Sequence, residues 1–127
     1  MENSEWVEYK IDIRERLKAF SLEILNLSEK IPESTPGRVI NYQLTKSGTS
    51  LYANYRAALR ARSKAEFYSK LCISIEETDE TEMWLELLTE SNILNTNKTV
   101  SLQKEILEIL KILSSMRKKL NNKTPNH

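Results

Sequence analysis

The stretch Leu51–Phe67, LYANYRAALRARSKAEF, decides how this chain is read. Ser63 followed three residues later by Glu66 is a capping box: the hydroxyl accepts an orphan backbone N–H, and the carboxylate reaches back to the Ser63 N–H. Arg62 precedes the cap, so no hydrophobic staple to Phe67 forms. One long helix therefore ends near Ala61, the chain reverses, and the next helix begins at Ser63.

Upstream, Asp12 and Glu15 repeat the cap pattern, and the first helix is expected over 12–31. Ile13, Leu17, Phe20, Ile24, Leu27 and Ile31 recur in alternating steps of four and three, the seam of a helix packed at a shallow angle. Pro32 ends it. Residues 1–11 read as a lead-in whose Trp6, Val7 and Tyr9 can fold back onto a helix. The second helix is expected over 36–61, with Thr35 as cap and Pro36 in its first position. Its seam, Ile40, Leu44, Ser47, Leu51, Asn54 and Ala58, is small and polar. Gly48 and the neighbouring threonines each cost about 0.5–1 kcal/mol of helix propensity. A break at Thr45–Ser50 competes with a continuous helix whose small residues admit a close neighbour, and the continuous helix is preferred. Asn54 on that seam is expected to fix register.

Downstream, Phe67, Leu71, Ile75, Leu85 and Leu88 form the inner face of a third helix over 63–91. Asn97 caps a fourth over 97–120, whose seam is Leu102, Ile106, Ile109, Leu113, Met116 and Leu120. Residues 121–127 read as a frayed tail. Four helices joined by short turns predict an all-α, antiparallel up-down-up-down four-helix bundle forming a single domain over 1–127. Charge agrees: residues 1–35 sum to −3, 36–62 to +5, 63–91 to −6 and 92–127 to +5, so neighbouring helices carry opposite sign. Each exposed pair adds only about 0.3–0.5 kcal/mol, which selects topology more than it stabilises.

Composition narrows function. Cys72 is the sole cysteine and His127 the sole histidine, so neither a disulfide framework nor a cysteine or histidine metal site is expected. No apolar run approaches the ~20 residues that span a membrane, and the acidic start is unlike a signal peptide. A cytoplasmic protein without cofactor or small-molecule substrate is expected. On the third helix Glu76, Glu77, Asp79, Glu80, Glu82, Glu86 and Glu90 run without an intervening cation. A dinuclear metal site would need Glu-x-x-His motifs that are missing, and acid–base chemistry would need a companion nucleophile; a solvated or ion-paired face is the simpler reading. The protein is therefore read as non-enzymatic.

Binding residues are easier to nominate. Tyr52, Arg56 and Arg60 share one face of the second helix, flanked by Tyr55 and Arg62, and aromatics among arginines stack bases and grip phosphates. Arg117, Lys118 and Lys119 form a basic end to the fourth helix that complements its dipole and can extend such a patch. The competing reading is intramolecular, with Arg60 facing Glu66 and Lys46 facing Asp79 or Glu80 across the hairpin. Leu22, Leu25, Leu107, Leu110, Ile112 and Trp84 lie outside the main seams, and such surplus apolar surface predicts self-association; a wide monomeric core is the alternative.

Several segments resemble a known family. Asp12–Arg16, Gly37–Val39, Ser47–Ser50, Ala53–Ala58, Arg60–Phe67, Glu76–Glu77 and Asp79–Thr81 through Trp84–Leu88 resemble the bacterial four helix bundle proteins, also named 23S ribosomal RNA intervening-sequence proteins. Ala57–Ala58 stands where many relatives have Glu-Gly. The resemblance implies an antiparallel bundle, often a homopentamer, and kinship with the accessory protein of diversity-generating retroelements, which binds nucleic acid and a reverse transcriptase. It carries over no catalytic residue.

Overall fold

A computed structural model describes residues 3–123. Among them the chain forms four antiparallel helices and no strand: α1 (Ser4–Ser28), α2 (Thr35–Leu59), α3 (Lys64–Glu90) and α4 (Asn97–Lys123). Each helix packs on its chain neighbours and α1 meets α4, giving the up-down-up-down order.

The ends follow from capping chemistry. Asn3, not Asp12, caps α1, its side chain accepting from Glu5 N at 2.7 Å. The helix starts before Asp12 because its first turns are tied to the rest of the bundle. Trp6 and Tyr9 stack at 5.8 Å, and Lys10 Nζ lies 5.3 Å from both the Trp6 and Phe67 rings. The predicted lead-in is thus helical and anchored on α3. α1 also stops at Ser28, ahead of Ile31, as the chain tightens toward Pro32. Ser34 rather than Thr35 caps α2, accepting from Gly37 N at 3.1 Å. A Cβ on Gly37 would collide with the Pro32 carbonyl, so only glycine fits this reversal. Ser63 caps α3 through Glu66 N at 3.0 Å, while the reciprocal bond from Glu66 is not made among the described residues. At the far end Asn92 takes φ 62°, a left-handed C′ position that asparagine tolerates. Thr96 and Thr99 then exchange hydrogen bonds across the start of α4, filling the role expected of Asn97. α4 continues to Lys123 without ending at Leu120; the remainder of the expected tail, with His127, lies outside the described residues.

The core is the four aliphatic seams brought together: Leu17, Leu44, Leu51, Leu71, Leu85, Leu88, Ile106, Ile109 and Leu113 are fully buried. α2 runs unbroken through Thr45–Ser50 because its small residues accept two close neighbours. Ser21 Oγ donates to the Gly48 carbonyl at 2.7 Å, and a Cβ on Gly48 would come to 3.0 Å from Ile24. On the other flank Ser74 Oγ donates to the Leu51 carbonyl at 2.6 Å and Thr81 Oγ1 to Ser47 Oγ at 2.9 Å.

One seam assignment is corrected. Tyr55, not Asn54, points inward and is wholly buried, its hydroxyl donating to the Lys10 carbonyl at 2.8 Å. Burial raises the Tyr55 pKa, the nearby Tyr9 adding to it and Arg14 opposing it. Asn54 is half-buried and bonds within its own helix, to the Ser50 carbonyl and hydroxyl at 3.0 and 3.1 Å. Burying a ring whose hydroxyl finds a carbonyl gains more than burying an amide with four bonds to satisfy.

Candidate nucleic-acid interface

α1 and α2 do not close flush along their outer edge. They leave a groove of about 570 Å³ whose walls include Arg14 and Lys18 from α1 and Tyr52, Arg56 and Arg60 from α2. Glu15, Ser21, Leu22, Leu25 and Thr49 complete its lining. The groove exists because Ser21 and Gly48 hold the backbones close at mid-length, while the longer residues one turn outward on each helix flare into solvent.

Arg56 and Arg60 are exposed or nearly so, and neither makes an ion pair among the described residues. The intramolecular pairs expected for this hairpin do not form among them. Arg60 does not reach Glu66, and Lys46 bears electrostatically on Glu77 rather than pairing with Asp79 or Glu80. Lys46 also lies 6.0 Å from the Tyr42 ring. The reason is the hydroxyl-lined contact of α2 with α3, which leaves the arginines on the opposite flank of α2. Arg14 pairs with Glu15 at 3.1 Å on the surface, a contact too exposed to withhold it from a ligand. Tyr52 is half-buried and packs against the core, so its ring is held in place at the groove wall.

Arg62 lies in the turn beyond α2, exposed. Arg117 is half-buried, and Lys118 and Lys119 are exposed, at the end of α4. Lys119 Nζ lies 5.9 Å from the Tyr9 ring, which places the end of α4 beside the start of α1. The nominated cations thus gather at one end of the bundle, but the α4 group lies on the far side of α1 from the groove. Sequence reasoning missed Arg14 and Lys18; the signal available was their spacing of four, one turn of α1, in line with Leu22 and Leu25.

The acidic helix gathers no chemistry. Among the described residues no three His, Cys, Asp or Glu side chains converge as a metal-ligand set. Desolvation raises the Glu77 pKa, with Glu80 and Glu76 adding and Lys46 opposing. Desolvation also raises that of Glu82, with Glu86 and Asp79 adding. These carboxylates crowd one another. Of the apolar surplus, Leu22, Leu25 and Leu107 stay exposed at 52%, 46% and 47%, whereas Trp84, Leu110 and Ile112 pack partly onto the core. No helix among the described residues is long and apolar enough to cross a membrane.

Comparison with known proteins places this architecture. The model of the family described as 23S rRNA-intervening sequence protein matches residues 9–115. The chain belongs to that family. Its fold is similar to that of a crystallised protein of unknown function from the S23 ribosomal protein family of Bacteroides thetaiotaomicron. The two share 34% sequence identity over 86% of this chain and 97% of that one, with a TM-score of 0.79. No curated protein matches the chain. Family membership accounts for the bundle; the basic groove is read from this member's own residues.

Proposed function

We propose that this member of the 23S rRNA-intervening sequence protein family is a non-enzymatic, self-associating cytoplasmic bundle that binds RNA through the α1–α2 groove. The observation that carries the reading is the accessibility of Arg56 and Arg60, unpaired among the described residues, on a wall that also carries Tyr52 and faces Arg14 and Lys18. Lys18 on one side and Arg56 and Arg60 on the other, unpaired among the described residues, suit phosphates, and a ring at the wall suits a base. Lys118 and Lys119 extend the positive surface at the same end of the bundle. Filter binding of RNA over a salt series tests this. The reading expects affinity that falls steeply as salt rises; no binding at low salt, or binding without a salt slope, contradicts it.

A second reading, a protein-interaction scaffold, is favoured by Leu22, Leu25 and Leu107, which remain exposed outside the core. The two readings share self-association, for which the family resemblance implies a homopentamer. Light scattering distinguishes assembly from its absence: a lone 14.8 kDa particle at micromolar concentration removes it. The scaffold reading alone survives if Arg56 and Arg60 prove to be covered in that assembly.

A further inference from the structure

We propose that the α1–α2 groove takes an unpaired, single-stranded stretch of nucleic acid in preference to a duplex. The phosphates lie on Arg14, Lys18, Arg56 and Arg60, and a base lies against Tyr52. This rests on the nucleic-acid reading above and names the form of nucleic acid that the same site selects.

The arrangement of the cations makes the choice. They line a cleft between two helices rather than the crest of one. A helix that reads a duplex enters the major groove and carries its basic residues on its outward ridge and flanks. Lys18, Arg56 and Arg60 are exposed along the mouth of this cleft, where a strand laid lengthwise keeps its phosphates on them while a base turns inward to Tyr52. A duplex backbone is broad, and its bases are stacked away from any groove wall. A single strand is one backbone wide and offers free base faces. A cleft of about 570 Å³ lies in the range that encloses small ligands, so it accommodates a short piece of strand. Along α2, Tyr52, Arg56 and Arg60 are each four residues apart, about 6 Å of rise per step, which matches the stride of successive nucleotides in an extended strand.

The apolar component points the same way. Tyr52 is held against the core, so its ring is ordered before ligand arrives. Phosphates gain nothing from a ring; an unstacked base does. Four cations, set against the single carboxylate of Glu15 that pairs with Arg14, together with an aromatic contact therefore fit a polyanion that also carries exposed flat apolar faces. An acidic polypeptide satisfies the cations but leaves Tyr52 without a stacking partner.

Fluorescence anisotropy of the full chain at low salt tests this with three labelled probes: a mixed-sequence single-stranded oligonucleotide, its blunt duplex, and an abasic strand of equal length. The single strand is expected to bind about tenfold more tightly than either of the others. Tyr52→Leu keeps apolar packing and removes the stack; it is expected to weaken the single strand about tenfold while leaving the salt slope unchanged. Duplex binding as tight as the single strand, or equal binding of the abasic strand, overturns the inference and leaves the broader nucleic-acid reading standing. Failure of all three probes to bind overturns both. Displacement by poly-glutamate as effective as by unlabelled single strand assigns the groove to acidic partners in general and also overturns it. The probe comparison uses the unmutated protein, so it decides the matter even if Tyr52→Leu is unstable.

Discussion

Between α2 and α3, Ser47, Ser74, Thr78 and Thr81 are completely buried, and each hydroxyl makes a hydrogen bond, most to a backbone carbonyl. Between α1 and α4, Arg16 forms a two-pronged pair with Glu105 at 2.7 and 2.8 Å, and two turns further along Lys98 pairs with Glu23. The backbones of α2 and α3 run close along most of their length, whereas those of α1 and α4 barely approach. Long charged side chains bridge a wide seam; short hydroxyls line a narrow one. The seam that looks weak in sequence, for want of large apolar residues, is the tightest contact in the molecule. Opposite net charge does not draw α2 to α3 through short ion pairs among the described residues, and this leaves the α2 arginines for the outer groove. Where charges do pair between helices, across α1 and α4, the contact is exposed and screened by salt.

The contrast can be broken at its narrow side. Ser74→Leu forces a larger side chain between α2 and α3 and deletes the bond to the Leu51 carbonyl, and is expected to cost about 3 kcal/mol in urea unfolding. That cost is expected to be the same at low and high salt. On the wide side, a double-mutant cycle of Arg16→Ala and Glu105→Ala is expected to give a coupling of about 0.5–1 kcal/mol, since both side chains are partly exposed. The coupling should largely vanish in 1 M salt, where the screening length is about 3 Å. A salt-independent cycle would mean that the two seams are alike after all.

The smallest effect concerns the acidic helix. The Glu82 pKa is raised by desolvation, then by Glu86 and Asp79, so in the folded state the protonated form is favoured and the charged form at neutral pH is a cost. Stability from this group is greatest at low pH and is lost as pH rises through its folded pKa. Glu82→Gln is therefore expected to raise the Tm slightly at pH 7. The gain should disappear below about pH 4, where an ordinary carboxylate is also neutral. A gain that persists at pH 3 would place its origin elsewhere.

Four-helix architecture was legible because the α1 and α4 seams are long and aliphatic and the Ser63 cap is explicit. The start of α1 was not, because Asp12 and Glu15 imitate a cap while the real anchor, Lys10 between Trp6 and Phe67, joins residues far apart in the chain. The inward turn of Tyr55 was hidden for a similar reason: its hydroxyl partner is a carbonyl on another helix. Half of the groove was visible as the Tyr52, Arg56, Arg60 spacing. Arg14 and Lys18 joined it only once α1 and α2 were set side by side, a juxtaposition that periodicity along one helix does not encode.

The salt dependence of RNA binding, compared between the natural chain and an Arg56→Ala, Arg60→Ala variant, tests the account most directly. Each phosphate of a single strand that the protein no longer neutralises takes about 0.7 from the slope of log affinity against log salt, so the variant is expected to be shallower by about 1.4. An unchanged slope in a variant that unfolds at the same urea concentration would contradict the placement of phosphates on these arginines.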